Sequence, residues 1–322
     1  MRQDCLRAGA LALVGLVWGI SAAMGQMTDI GIAGPEGPLR GTYLAPEGAK
    51  AAAVIVPGSG PTDRDGNNPL GVSAAPYRLL AEALAERGIA SVRIDKRGMF
   101  GSAGAIPDAN AVTIADYAAD VRAWAGELRA RSGLQCVFLL GHSEGALVAS
   151  VAAGQSEGVC GLVLVSGMGR NMADVLSAQI EAAVPQPAIR DEVLGVLDEL
   201  RAERRVNAAD MPLAAQPLFP PQVQGFVMDV MTYDLPALLR AYAGPVLVVH
   251  GDADIQVTAE DAERLSSARP GIGLKRLSGV NHVLKEASAD DRAENIATYA
   301  DPDLPLAPGV ADAIAGFMLE RR

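Results

Sequence analysis

Five apolar runs are each about the length of one strand and show almost no alternation of polar and apolar side chains: AAAVIV at 51–56, IASVRI at 89–94, CVFLLG at 136–141, VCGLVLV at 159–165 and PVLVVHG at 245–251. A strand of that composition must be covered on both faces, and covering both faces requires helices between successive parallel strands. The intervening segments supply them. YRLLAEALAERG (77–88) and DYAADVRAWAGELRARSG (116–133) are amphipathic and end in Gly88 and Gly133, while SEGALVASVAAG (143–154) is built of small residues that allow close packing. The pattern predicts an α/β fold with a mostly parallel central sheet and helices on both faces. Shorter β-like pieces, TDIGIA and LRGTYLAP, precede it, and IGLKRL with a last helix in GVADAIAGFMLERR closes it.

The alternation breaks between 171 and 243. This segment holds NMADVLSAQIEAAV, DEVLGVLDELRAERR and the proline-rich MPLAAQPLFPPQVQ. It reads as a helical cap over the carboxyl edge of the sheet, where ligands of open α/β sheets bind. The expected organisation is a leader at 1–25, the first part of the core at 26–170, the cap at 171–243 and the second part of the core at 244–322.

Residues 141–145 read GHSEG, placing Ser143 between Gly141 and Gly145 where an apolar strand turns into a helix. Chance alone gives about 0.2 such GxSxG matches in a chain of this composition, so the junction rather than the spacing carries the reading. On such a corner a serine hydroxyl is raised above the sheet. A serine hydroxyl is a weak nucleophile and needs a base held by a third group. The chain has three histidines. His142 lies inside the corner with its side chain directed away from Ser143, and His250 ends a buried strand, so the loop residue His282 is the expected base. The orienting carboxylate should follow PVLVVHG. Asp254 is favoured over Asp252, whose alternative role is an Asx-type turn at Gly251. Oxyanion donors are expected from the amide of Glu144 and from the loop Gly58-Ser59-Gly60, with Ser59 favoured and Gly60 next.

These residues resemble the α/β-hydrolase superfamily, and within it bacterial serine hydrolases of the esterase and serine aminopeptidase-like kind. The resemblance rests on PGSGPTDRDGN (57–67), VRIDKRGMFGS (92–102), GHSEG (141–145), YDLPALLRAYAGPVLVVHGDADIQV (233–257) and GVNHVLK (279–285), in that order. It implies that Asp254 of GDADIQV is the triad acid and His282 the base. Ala146 departs from relatives that carry a further glycine after the elbow. The resemblance also implies a structural role for the DKRG segment, with Arg97 tying loops beneath the site and Glu144 either meeting Arg97 or shaping the pocket.

Arg2 and Arg7 precede an uncharged stretch from Ala8 that contains LALVGLVWGI and ends in SAAMG, the layout of a signal peptide cleaved after Ala23 or Gly25; a retained membrane anchor is the alternative. Export to the periplasm or medium is therefore expected, with no stable membrane insertion after cleavage. The net charge of −11, with no basic run, opposes binding to nucleic acid. Cys136 and Cys160 begin neighbouring strands and read equally as a disulfide or as two thiols. No Cys or His cluster has metal-ligand spacing, and no cofactor is expected. The functional expectation is a serine hydrolase acting on small-molecule carboxylic esters of short to medium acyl chains through an acyl-enzyme. A peptidase, thioesterase, lactonase or acyltransferase using the same groups, or a non-catalytic binding protein with a hydrolase shell, is the alternative.

Overall fold

A computed structural model describes residues 25–321, so the expected leader, apart from Gly25, lies outside the described residues. Eight strands form one sheet: β1 (Thr28–Ile32), β2 (Leu39–Leu44), β3 (Ala51–Val56), β4 (Ile89–Ile94), β5 (Val137–His142), β6 (Val159–Val165), β7 (Val246–Gly251) and β8 (Gly273–Leu277). Their spatial order is β1-β2-β4-β3-β5-β6-β7-β8. β2 runs antiparallel to both β1 and β4, and every other neighbouring pair is parallel. The sheet is thus the mostly parallel one expected of an α/β-hydrolase.

The strand period of two divides the core. Ala52, Val54 and Val56 of β3 face one apolar cluster, formed with α2 (Ile114–Ser132) and α3 (Glu144–Ala153). Ala51, Ala53 and Ile55 face the other, formed with α1 (Pro76–Glu86) and, at the end of the chain, α10 (Val310–Glu320). All six residues of β3, β4, β5 and β7 are buried, which is why their sequences show no alternation. Thr113 caps α2 reciprocally with Asp116, and Gly133 ends that helix in the left-handed conformation.

Between β6 and β7 the chain forms α4 (Met172–Ala183), α5 (Pro187–Arg201), α6 (Gln224–Met231) and α7 (Leu235–Ala241). Ile180, Val193, Leu197, Leu200, Met211 and Phe219 make a separate apolar cluster within this segment. α7 behaves differently, since its Leu235 and Leu239 join the cluster under the sheet. Two further helices, α8 (Ala259–Ser266) and α9 (Arg292–Ala297), fill the loops after β7 and β8. Among the described residues no helix is long and apolar enough to cross a membrane.

Cys136 and Cys160 are joined in a disulfide with their Cα atoms 5.2 Å apart. The ladder between β5 and β6 pairs Val137 with Val159 and Phe138 with Gly161, so Cys160 falls in the register shift and is free to turn toward Cys136. The bridge closes a loop spanning 24 positions, a constraint on the unfolded chain worth about 3.5 kcal/mol in the loop-entropy treatment. Urea unfolding should therefore show a lower midpoint for the Cys136→Ser/Cys160→Ser protein than for the oxidised wild type. Equal midpoints would mean that the bridge adds nothing to stability.

Candidate active site

Ser143 sits between β5 and α3 with φ 54° and ψ −122°, a strained conformation for a residue with a side chain. The corner is enforced by close backbone packing. A Cβ on Gly145 would lie 2.6 Å from the carbonyl oxygen of Pro57, and one on Gly141 would lie 2.6 Å from the Cα of Ala146. The Ser143 amide donates to Val165 O at 2.9 Å, anchoring the corner to β6. Ser143 opens on a cavity of about 220 Å³ that is also lined by Ser59, His142, Gln256 and His282.

His282, from the loop after β8, is buried, and its Nδ1 lies 2.8 Å from Asp254 Oδ2. Asp254 follows β7 and accepts the amides of Gln256 and Val257 on Oδ1 at 2.8 and 3.0 Å. Burial alone would raise this carboxyl, but the His282 ring and the two amides outweigh it and hold the pKa at about 2. Asp254 is therefore an anion at neutral pH and fixes the proton of His282 on Nδ1, leaving Nε2 as the basic nitrogen. No hydrogen bond joins Ser143 Oγ to His282 in this state; the two groups meet only as walls of the same cavity.

Asp252 does not take the alternative role of an Asx-type turn at Gly251. Its carboxylate accepts the amide of Gly279 at 2.6 Å and ties the loop after β7 to the loop that carries His282. His250 is buried with Nδ1 unpartnered. Glu144 meets Lys96 rather than Arg97. Lys96 Nζ lies 3.8 Å from Glu144 Oε1 and donates to Gly58 O at 2.7 Å, whereas Arg97 is held by Asp116 and Asp120 of α2. Burial lowers the Lys96 ammonium, and the Glu144 carboxylate partly opposes that shift.

The Glu144 amide begins α3 and is one of the N–H groups that a helix leaves unpaired. Of the three candidates in the earlier loop, Gly58 is removed because its amide donates to Tyr77 Oη at 3.1 Å. Ser59 lines the cavity with Ser143. Gly60 has a positive φ of 68°.

Tyr77 and Asn281 have positional roles beyond those read from the sequence. His142 Nε2 lies 2.8 Å from the carbonyl oxygen of His282, so that nitrogen must carry the proton, and Nδ1 accepts from Tyr77 Oη at 2.8 Å. A single chain of hydrogen bonds thus runs from the Gly58 amide through Tyr77 and His142 to the backbone of His282. Tyr77 reads in sequence as a core aromatic of an amphipathic helix, and nothing local marks it. Asn281 donates to Asn295 and Thr298 at 3.2 and 2.7 Å, while Asn295 donates to Ala253 O at 2.8 Å. These bonds clamp the Asp254 and His282 loops together. Here the signal was visible, since Asn281 stands directly before the candidate base.

Burial, with the neighbouring His282 ring adding to it, lowers the His142 pKa to about 3. Below about pH 6.5 the unfolded chain takes up a proton here that the folded protein refuses, so folded stability declines as pH falls from 6.5 toward 3. The His142→Gln protein should show a shallower decline over that interval in thermal unfolding, whatever its absolute stability. Equal slopes would contradict the burial of a neutral imidazole.

The sequence pattern of the family described as serine aminopeptidase, S33, matches residues 70–285. No curated protein matches the chain by sequence. Among solved structures, Est1E from Butyrivibrio proteoclasticus superposes with a TM-score of 0.57 at 17% identity, covering 91% of this chain and 98% of that one. The esterase domain of a Rhodothermus marinus protein gives 0.54 at 17% identity, covering 92% and 99%. A thioesterase domain from the curacin biosynthetic pathway gives 0.54 at 15% identity, covering 91% and 99%. Identities this low speak for the fold alone, but the family match spans most of the sheet and the GHSEG corner, and by it the chain belongs to the S33 serine aminopeptidase family of α/β-hydrolases.

Proposed function

We propose that this hydrolase cleaves carboxylic esters with Ser143 as nucleophile, His282 as general base and acid, and Asp254 as the group that orients the base. The observation that carries the reading is the strained Ser143 corner opening on the same cavity as an imidazole whose Nδ1 is held by a buried carboxylate. Ser143 Oγ bonds to the ester carbonyl carbon while its proton passes to His282 Nε2. The resulting oxyanion is met by the amides of Glu144 and Ser59. Collapse breaks the bond to the alkoxide, which leaves with the proton from His282. Water, deprotonated by the same nitrogen, then releases the acid and restores Ser143.

The family is named for aminopeptidases, whose substrates carry a free ammonium group. Among the described residues no Asp or Glu lines the cavity at Ser143. Among the described residues the adjoining cavity has one acidic wall, the buried Glu144, whose Oε1 lies 3.8 Å from Lys96 Nζ and has no hydrogen-bond partner. At Ser143 itself a cationic amino terminus would meet no carboxylate among the described residues, and this favours a neutral ester over a peptide.

A fluorophosphonate should label Ser143, and the Ser143→Ala and His282→Ala proteins should lose at least about 10⁴-fold in kcat on a 4-nitrophenyl ester. His250→Ala should retain far more activity. An unlabelled Ser143 in folded protein, or an equally inactive His250→Ala with its fold intact, would refute the assignment. Aminoacyl 4-nitroanilides should be cleaved far more slowly than the esters; the reverse order would favour peptidase activity.

We further propose that the chain is exported. The Cys136–Cys160 bridge suits an oxidising compartment, and the order of charges and apolar residues before Asp29 suits a cleaved leader. The purified native protein should begin at Met24 or Gln26 by intact mass; a chain that begins at Met1 would overturn this.

A further inference from the structure

A second cavity of about 730 Å³ adjoins the one at Ser143, and the two share Ser59, Met172 and Leu176 as walls. The first, at about 220 Å³, is smaller than pockets that enclose a drug-sized ligand, and the second lies within that range. Met99, Tyr117, Val223, Phe226 and Val230 line its body. Among the described residues its charged walls are Lys96 and Glu144, 3.8 Å apart. Leu70, Phe100 and Leu218 also line it and are 83%, 44% and 50% exposed. They are three of the seven large apolar side chains that the described residues leave exposed, and their gathering around one opening marks a site for an apolar ligand.

We infer that the large cavity is an acyl chamber, and that the preferred substrate is a neutral ester whose acyl part is a large apolar group entering past Leu70, Phe100 and Leu218. The direction follows from which groups line which space. Ser59, which lines both cavities, and Glu144, which lines only the large one, carry the amides that would hold the carbonyl oxygen, whereas His282, which would protonate the departing alcohol, lines only the small one with Ser143. The alcohol part therefore stays on the His282 side and the acyl part passes the other way. The inference rests on the proposed catalytic roles for the position of the carbonyl. It displaces the short end of the acyl range expected from sequence.

The test compares 4-nitrophenyl acetate with 4-nitrophenyl octanoate, which share a leaving group. Each methylene removed from water adds up to about fourfold in kcat/KM, so the wild type should prefer octanoate by at least tenfold. Val223→Trp, which fills the chamber, should reduce the octanoate-to-acetate ratio at least tenfold, with Val227→Trp as a second variant should the first fail to fold. A wild type that prefers acetate, or a ratio untouched in a folded variant, overturns the chamber. If neither ester is cleaved and Ser143 takes no fluorophosphonate, the catalytic reading falls instead. The chamber is then judged by saturable binding of the neutral fluorophore N-phenyl-1-naphthylamine, retained by wild type and lost in Val223→Trp. No saturable binding, or equal binding by both, would remove it.

Discussion

The carbonyl oxygens of Val56 and Pro57 leave no room for a side chain at the start of α3, and that contact sets the geometry of the candidate site. Gly145 lets the helix press against the end of β3, Gly141 lets it double back over β5, and the residue between them is driven to a positive φ. Strain of this kind costs on the order of 1–3 kcal/mol and persists only where packing overrules it. Here the packing is the fully buried centre of the sheet, with β3 and β6 on either side of β5 and both apolar clusters closing over them. Ser143 is half-buried and borders a cavity, while its neighbours in the corner, His142 and Glu144, are buried.

Loops, not the sheet, bring the remaining groups to that hydroxyl, and loops need tethers. The Asp254 and His282 segments are cross-linked by Asp252 to the Gly279 amide and by the Asn281, Asn295 and Thr298 bonds. The loop after β3 is held from two sides, by Lys96 on the Gly58 carbonyl and by Tyr77 on the Gly58 amide. Because Tyr77 continues through His142 to the His282 backbone, the loop carrying the proposed oxyanion donor and the proposed base are tied by one continuous set of bonds. Burial raises the Tyr77 hydroxyl pKa and lowers that of His142, so each stays in the neutral form that the chain of donors requires.

Features decided by long apolar runs were readable from the chain. The five central strands follow from their lack of alternation, and the corner at Ser143 follows from two glycines at a strand-to-helix junction. Short elements were less visible, because eight residues in α8 and six in α9 give too few turns for a periodic signal. Of the two readings of Glu144, shaping the pocket agrees with its place on the wall of the larger cavity, and meeting Arg97 does not agree with its neighbour, Lys96. Asp95, Lys96 and Arg97 follow one another at the end of β4 and diverge to different partners, Arg64, Gly58 and α2 respectively, and a one-residue error in direction reassigns the charge. The adjacency of β5 and β6 was legible, but the joining of Cys136 to Cys160 depended on a register shift that no local pattern announces.

That bridge sits at the amino ends of β5 and β6, whereas Ser143 stands at the carboxyl end of β5, seven residues or about 23 Å farther along. Six paired residues of strand, buried throughout, separate the sulfurs from the cleft. The staple and the proposed nucleophile thus occupy opposite ends of one buried strand. Reduction of the bridge would therefore act on stability at one end of the strand while leaving the geometry proposed for chemistry at the other in place.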